Sequence, residues 1–470
     1  MKRFLLALTF LTLWSCIVLK PSPPLSHYSL PIPSSFEFTL SASPLDAQKL
    51  NKWWKLFNDP ELNDLIEDNL LRNPSLQEGF ARIRASRAMM KSEKSRLFPK
   101  LQGEASFSEK KANHSEESSY EVGFDASWEV DFLVKKNPLL KAKEAEVQIE
   151  EENLRDSLVS LIGEVVKNYI QLRTLQAKFK IIDERLEDCE KEYERLVSYR
   201  YKAGLIDLKE LERAKQNLQS LYDQRESLQK EIKTIKNSLC VLLGKPPQSL
   251  EEKLETFKPI PLPPTEVMLT TPLEVIKLRP DLRRAQKEIL KEESYLKAKR
   301  LERLPTVKLL SAITLGSLTL GDLLHSPKLT LQIGASLSKV LFDGRSLKWE
   351  IEAQEAQFQE AIARYEETLL QALKEVQEAL FMIEANSKKL ELIQESLTSA
   401  ENMLKIEKSL YESGLIDKLT LIEAKKNLYD LKMELLEKKG ELATSFVALY
   451  KALGGGLGLL EERDGRKNES

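Results

Sequence analysis

Two stretches of this chain alternate apolar and polar residues with period 2, while most of the remainder repeats its apolar residues at helical spacing. Tyr120, Val122, Phe124, Ala126, Trp128 and Val130 fall on one face of an extended strand, and Glu121, Gly123, Asp125, Ser127 and Glu129 on the other. The stretch before it sets Leu101, Ala105 and Phe107 against Gln102, Glu104, Ser106 and Ser108, with a polar connection from Lys110 to Ser119. A strand pair is therefore expected over about 100–131. The alternation returns over about 306–340. There Val307, Leu309, Ile313 and Leu315 share a face, and Leu329, Leu331, Ile333, Ala335 and Leu337 alternate with Thr330, Gln332, Gly334, Ser336 and Ser338. Strands about 10 residues long with apolar residues toward lipid and polar ones toward a wet lumen carry this pattern in transmembrane barrels. A hairpin of a soluble sandwich would alternate in the same way. Its recurrence at the same place in both halves favours the barrel.

Between these pairs the period is helical. A helix is expected from about Ser75 to Phe98, ended by Pro99, and a far longer one from about Lys141. In the latter Leu154, Leu158, Leu161, Val165, Tyr169, Leu172, Leu175, Phe179, Ile182, Leu186, Cys189, Tyr193 and Leu196 follow one another mostly at fours and threes. This is a coiled-coil seam with one local slip. Some 60 residues at 1.5 Å each give roughly 90 Å, more than a globular domain needs. The chain then reads Tyr201-Lys-Ala-Gly-Leu-Ile-Asp, and 210 residues later Tyr411-Glu-Ser-Gly-Leu-Ile-Asp. The same offset aligns Leu211 with Leu421, Ala214 with Ala424, and Leu243-Gly244 with Leu453-Gly454. The chain is a tandem duplication. Gly204 and Gly414 each end one long helix in a left-handed turn before another returns, so each marks the tip of a helical hairpin. Asp207 and Asp417, just past those tips, have the position of caps for the returning helices.

The N-terminus adds a membrane address. Met1-Lys-Arg and the apolar run Phe4 to Leu13 read as a secretory signal, and Leu13-Trp-Ser-Cys16 resembles a bacterial lipobox. Cys16 is then the lipidated first residue of the mature chain; an ordinary signal peptide cut nearby is the other reading. Prolines among serines make an extended tether of residues 16–50. The layout is signal peptide 1–15, tether 16–50, first repeat 51–244, proline-rich linker 245–272, second repeat 273–454 and polar tail 455–470. Cys189 and Cys240 lie on apolar helix faces, as core thiols do. No segment after the signal has 18 consecutive apolar residues, so any membrane span is made of strands.

Composition narrows the function. Lys+Arg 71 against Asp+Glu 73 leaves a net charge of -2, without the basic excess of a nucleic-acid binder. His27, His114 and His325 fall in the tether or in loops, and no Walker A, H-E-x-x-H or G-x-S-x-G pattern occurs, so no catalytic residue, metal site or cofactor is expected. A soluble extended coiled-coil scaffold would suit the seams and the charge, but has no use for two lipid-type strand pairs. Four such strands cannot close alone, because an open edge in hydrocarbon leaves N–H and C=O groups unpaired at several kcal/mol each. Two copies would give a barrel of 8 strands whose side chains nearly fill it, and three give about 12 strands with room for a conduit.

At this point the sequence resembles the outer-membrane factor family of TolC-like and OprM-like channel tunnels, in its lipoprotein branch. The resemblance rests on Trp53-Trp-x-x-Phe57-x-Asp59-Pro60-x-Leu62, Asn73-Pro74-x-Leu76, Ser127-Trp-Glu-Val-Asp131, Arg279-Pro280-Asp281-Leu282, Leu341-Phe-Asp-Gly344 and the two Tyr-x-x-Gly tips. It covers nearly the whole chain from Trp53 to Gly454. It implies a mainly α protein whose hairpins form an α-barrel tunnel in the periplasm, with four strands per protomer in the 12-stranded β-barrel of a homotrimer. It also implies a cell outer-membrane location, no chemistry, and as partners a periplasmic adaptor, an inner-membrane transporter of RND or ABC type, and outer-membrane lipid. By the same resemblance Gly204, Leu205, Asp207, Gly414, Leu415 and Asp417 lie where the adaptor docks. Leu419 and Glu423 take the positions of the constriction and its acidic ring, Glu423 standing where aspartate is common. A solvated helix face is what Glu423 would otherwise be.

Overall fold

The computed structural model describes residues 36, 38, 42–44, 47–112, 115–130, 136–195, 208–264, 267–269, 278–325 and 327–458. In chain order these form β1 (Ala42–Pro44), α1 (Ala47–Asn51), a 3-10 turn (Trp53–Phe57), α2 (Pro60–Asn69), α3 (Pro74–Ser95), β2 (Lys100–Ala112), β3 (Ser115–Glu129), α4 (Lys136–Arg195) and α5 (Leu208–Leu242). There follow β4 (Val267–Leu269), α6 (Pro280–Leu301), β5 (Thr306–Ser317), α7 (Leu320–His325), β6 (Lys328–Ser338), α8 (Ser346–Glu412) and α9 (Lys418–Ala452). The protein is mainly helical with one four-stranded sheet, built from two repeats. α4 and α8 start 210 residues apart, and α5 and α9 both start and end 210 apart. The signal segment, Cys16 and the first tip with Gly204, Leu205 and Asp207 lie outside the described residues.

Both strand pairs form where the alternation put them, but they are longer than the apolar alternation. The polar connection expected from Lys110 to Ser119 is mostly strand, since the β2–β3 ladder runs on to Ala112 opposite Ser115. Backbone hydrogen bonds hold an antiparallel pair whatever its side chains, and the Ser108 and Ser119 hydroxyls meet across it at 3.0 Å. The short α7 between β5 and β6 had no signal in the apolar pattern. Cys240 is buried, whereas Cys189 is only half-buried, and burial pushes its thiol above the ordinary cysteine range.

Contacts divide the described residues into two compact units, one drawn from 82–151 and 284–367, the other from 32–81, 152–283 and 368–470. The first holds the sheet and, beside it, an apolar cluster of Ile289 and Leu296 on α6 with Ile351, Phe358 and Ile362 on α8. In the second the predicted seam of α4 is the core: Leu158, Val165, Tyr169 and Leu172 are fully buried.

The Trp-Trp…Asp-Pro motif belongs to this second core. Trp53 and Trp54 are fully buried, and Trp53 stacks on Tyr450 with centroids 5.4 Å apart. Asp59 caps α2, accepting from the Glu61 and Leu62 amides, and also accepts the Tyr169 hydroxyl at 2.6 Å. Arg173, 0 % exposed, donates to Glu61 at 2.8 Å, to the Tyr169 hydroxyl at 3.1 Å and to the Thr256 carbonyl at 2.8 Å. Burial, with the Asp59 carboxylate beside it, holds the Tyr169 hydroxyl in its protonated form far above the usual phenol range. A buried guanidinium is tolerated because its charge is paired with Glu61 and both terminal nitrogens donate, although its Nε has no hydrogen-bond partner.

The two Pro motifs perform one task twice. Pro74 and Pro280 open α3 and α6 as first helical residues, where a missing N–H costs nothing. The residue before each proline reaches the end of its own repeat. Asn73 donates to the Leu242 carbonyl at 2.7 Å, and Arg279 donates to the Ala452 carbonyl at 2.9 Å. Leu242 and Ala452 are equivalent positions, the last residues of α5 and α9. Past them Gly244 (φ 68°) and Gly454 (φ 74°) take the left-handed conformation, and the Lys245 and Gly455 amides reach back to Cys240 and Tyr450. Arg279 also pairs with Asp281 at 2.6 Å and Glu375 at 2.8 Å. Burial pulls this guanidinium down, but the two carboxylates outweigh that and hold it above its ordinary value.

Gly414 and Gly454 share one backbone conformation but differ in surroundings, which predicts different costs for the same substitution. A Cβ on Gly414 (φ 72°) would enter open space, whereas one on Gly454 would lie 2.9 Å from the Leu278 carbonyl oxygen and 3.0 Å from the Arg279 Cα. Gly414→Ala is expected to cost about 1 kcal/mol and Gly454→Ala roughly 2–5 kcal/mol. Thermal unfolding of the detergent-solubilised protein checks this, and equal shifts would refute it.

Candidate functional site

The sheet has the order β2-β3-β5-β6 with every neighbour antiparallel. Its register decides which side chains share a face. One row across the strands is Gly103, Phe124, Ile313, Leu331, and the next on that face is Ala105, Val122, Leu315, Leu329. Between them on the opposite face lies Glu104, Gly123, Thr314, Thr330. All four strands thus present mostly apolar residues to one side and mostly polar residues to the other, with Leu310 and Ser311 on β5 reversed. The apolar side is not covered: Phe124 is 60 % exposed, Leu331 61 % and Ile333 80 %. A sandwich hairpin would bury such a face in its own chain. The outer edges of β2 and β6 have no partner strand in the sheet.

Aromatics bound the apolar band on β3. Tyr120 and Trp128 share the apolar face eight residues apart, roughly 27 Å along a strand. Phe107 lies against Tyr120 with centroids 4.9 Å apart, and Trp128 donates its indole N–H to the Leu97 carbonyl at 2.9 Å. Aromatic residues at the two ends of an apolar belt are the usual anchoring at a membrane interface.

At the far end of the long helices the second tip is built as the sequence implied. The Leu415 amide donates to the Leu410 carbonyl at 2.9 Å and the Gly414 amide to that of Tyr411 at 3.0 Å, closing α8. Asp417 caps α9 by accepting from the Thr420 amide at 3.0 Å and hydroxyl at 2.7 Å. Leu415 is 72 % exposed and Glu423 is exposed on α9. Leu419 lies one helical turn before Glu423, its backbone in the same helix. Leu415, Asp417, Leu419 and Glu423 are therefore gathered at this tip; Gly204, Leu205 and Asp207 at the other tip fall outside the described residues.

Behind the tip, α4 and α9 are joined by a ladder of charges that the periodicity did not reveal. Lys178 pairs with Glu437 at 2.9 Å, Arg185 with Asp430 at 2.9 Å, and Lys425 with Asp188 at 3.3 Å, while Glu192 pairs with Lys418. Asp188 also accepts the Tyr429 hydroxyl at 3.2 Å, and burial followed by this carboxylate pushes that phenol up to about 12. On its other flank α4 meets α5 through Asp183 with Arg225 at 2.7 Å and Glu190 with Tyr222. The usable signal was there: charges of opposite sign recur on flanks of the α4 and α9 seams. Without knowing that these two helices are neighbours it has no partner to be matched to.

No helix among the described residues is long and apolar enough to cross a membrane, and no group of three or more His, Cys, Asp or Glu among them is placed to hold a metal ion. A family profile described as outer membrane efflux protein matches residues 65–245 and 272–455. The chain belongs to the outer membrane efflux protein family. Within it, the chain is 25% identical over 440 residues to the pyoverdine export outer membrane protein OpmQ of Pseudomonas aeruginosa, covering 91% of this chain and 92% of that one. It is 23% identical over 443 residues to the cation efflux system protein CusC of Escherichia coli K12, covering 93% and 96%. Its fold superposes on the outer-membrane channel OprN with a TM-score of 0.82 at 26% identity, over 92% of this chain and 98% of the other. The CmeC outer membrane channel of Campylobacter jejuni gives 0.82 at 21% identity, over 94% and 97%. This efflux protein is thus an outer-membrane channel component that extends into the periplasm, and the soluble-scaffold alternative falls.

The register makes a sharp prediction for its membrane face. Ile313→Arg places a charge on the apolar side near mid-band and is expected to cost about 2–4 kcal/mol, whereas Thr314→Arg, on the polar side, costs little. The yield of folded protein in the outer-membrane fraction measures both. Equal loss from the two variants would refute the assignment of faces.

Proposed function

We propose that three copies close this sheet into one barrel of about 12 strands and that their helices form a hollow tunnel, a passive conduit from periplasm to exterior. The observation that carries this reading is the uncovered sheet with an apolar face and two open edges. β2 and β6 run antiparallel to each other, so β6 of one copy can continue the alternating order with β2 of the next. Closure pairs the remaining backbone groups in the one solvent that cannot.

The conduit takes a periplasmic adaptor and an inner-membrane transporter, of RND or ABC type, as partners. The adaptor docks on the tips around Gly204, Leu205 and Asp207 and around Gly414, Leu415 and Asp417; the exposure of Leu415 supports this, while Asp417 contributes by holding the turn as a cap. One similar protein is named for pyoverdine export and another for cation efflux. Two such different cargoes on one architecture support selection by the transporter rather than by the channel. The tether begins at a lipidated Cys16, which anchors the chain in the outer membrane.

The entrance closes at Leu419 and Glu423. Three symmetry-related carboxylates around an axis repel one another or hold a cation, and the adaptor opens the entrance by binding the dilated state more tightly. Glu423→Gln is expected to raise single-channel conductance in planar bilayers, by two-fold or more as an order of magnitude; conductance equal to that of the parent would sink this gate. Cys16→Ser is expected to abolish incorporation of labelled palmitate, with the conductance of the purified channel unchanged. Labelling that survives the substitution would place the acyl chain elsewhere.

A further inference from the structure

The end of the sheet that meets the long helices is strongly basic in a chain that is not. Four segments join helix to strand there, residues 91–100, 129–136, 299–308 and 339–350. They hold 13 Lys and Arg against 6 Asp and Glu, a net charge of +7 beside -2 for the whole chain. All four belong to the unit that holds the sheet. The other end shows no such excess, since residues 108–119 and 317–328 hold 3 Lys against 4 Asp and Glu. The protein extends into the periplasm by its helices, so the basic end lies at the periplasmic leaflet of the outer membrane.

The corner between β6 and α8 sets this charge beside apolar side chains. β6 ends at Ser338 opposite Thr306, three residues past the Leu309 that faces Trp128. Three residues are roughly 10 Å of strand, or about 7–8 Å of depth at the usual tilt of a barrel strand. The headgroup layer outside a hydrocarbon core is on the order of 5–8 Å deep, so Lys339 to Trp349 begins at that layer. Val340, Leu341 and Phe342 are exposed, the last two at 90 % and 87 %. Lys339, Arg345 and Lys348 stand beside them, and the Lys348 Nζ lies 4.7 Å from the ring centroid of the exposed Trp349. Apolar and aromatic side chains among bases suit a boundary with hydrocarbon on one side and anionic groups on the other.

Hydrogen bonds fix the corner. Asp343 accepts the amides of Arg345 at 2.8 Å and Leu347 at 3.0 Å, and Gly344 (φ 64°) and Arg345 (φ 73°) are both left-handed. Glycine takes that conformation freely, whereas a side chain resists it. A second glycine would fit without strain, yet the position carries a guanidinium. The acids nearby are occupied: Glu350 meets Lys299 at 3.1 Å and the Ser346 hydroxyl at 2.8 Å, and Glu302 meets Lys299 at 3.0 Å. Among the described residues no carboxylate pairs with Lys91, Lys94, Arg303, Arg345 or Lys348. A second copy does not supply the missing anions at this level, because none of the four segments is net acidic.

We propose that the β6–α8 corner, with Arg345 and Lys348 as its charges, binds the anionic headgroups of phospholipids in the periplasmic leaflet. Val340, Leu341 and Phe342 take the apolar side of the boundary, and the guanidinium and ammonium take the phosphate side. The surface rests on the sheet's place in the outer membrane, not on how many copies close it.

Native mass spectrometry of the full-length protein, released from nanodiscs of equal parts phosphatidylglycerol and phosphatidylcholine, reads this surface directly. A basic residue at an anionic surface changes binding by roughly five-fold. The parent is expected to retain phosphatidylglycerol in preference, and Arg345→Gln combined with Lys348→Gln to lower that preference by about ten-fold or more. Lys110→Gln, at the other end of the sheet, leaves it unchanged. Arg345→Gly separates binding from folding: relief of the left-handed strain is expected to raise the unfolding temperature in lipid-free detergent while the preference falls. A preference unmoved by R345Q with K348Q would overturn the surface, as would an equal loss in K110Q. Displacement of phosphatidylglycerol by inorganic phosphate would overturn it in favour of a site for the free anion. A corner covered by a second copy would show otherwise, as a lower dissociation temperature of the R345Q, K348Q oligomer in lipid-free detergent with the lipid preference unchanged, and that too would overturn it. Failure of the membrane reading itself has a different mark, since Ile313→Arg and Thr314→Arg would then be tolerated alike.

Discussion

An antiparallel ladder in hydrocarbon has to be closed, because an unpaired backbone N–H or C=O finds no water there. In this chain that constraint meets a sheet of only four strands with uncovered edges on β2 and β6 and an apolar face that no other part of the described chain covers. What a single chain leaves open has to be supplied by copies of itself. Among the long helices, α5 and α8 each keep some apolar residues exposed, such as Val241 and Leu392, both 62 % exposed.

Duplication explains how one chain delivers matching parts to both layers. Long helices spaced by 210 residues bring their ends to equivalent places, and each end is closed by the residue before a proline. The chemistry of that closure differs between the halves. Asn73 uses a neutral amide, while Arg279 uses a guanidinium and therefore brings Asp281 and Glu375 with it to balance its charge. The requirement is a donor for the last carbonyls of a helix. Either side chain meets it, so the motif can diverge while the architecture stays the same.

The polar cluster of Asp59, Tyr169, Arg173 and Glu61 shows what a long hollow assembly asks of its one dense region. A conduit cannot have a large central core, so the tertiary packing of the second unit is concentrated around α2, the Trp53–Phe57 turn and the middle of α4. Burying a guanidinium there contributes little net stability, but misplacing any partner would strand a charge. Such a cluster fixes where α2 sits on α4 more strictly than interchangeable aliphatic contacts would. Lys258, 2.5 Å from Glu61, brings a residue from beyond α5 into the same arrangement.

Much of this was readable from one sequence because it consists of periods. The alternation around Phe124 and Ile333, the fours and threes from Leu154 to Leu186, and the return of Tyr-x-x-Gly-Leu-Ile-Asp are each properties of a single stretch, set by the geometry of the strand, the helix and the left-handed turn. The capping position of Asp417 was legible for the same reason. Partnership was not. That Arg173 would be buried against Glu61, that Asn73 would reach Leu242, or that Arg185 would face Asp430 depends on residues more than 100 positions apart being brought together, and no local period encodes the meeting. The strand extension past Lys110 escaped because a backbone ladder continues where side chains no longer signal it. The sequence by itself determined the elements, their duplication and the lipid-facing side of each strand. Only the tertiary structure decided which helix lies beside which, and thereby which charges are paired within the chain and which faces are left for a neighbour.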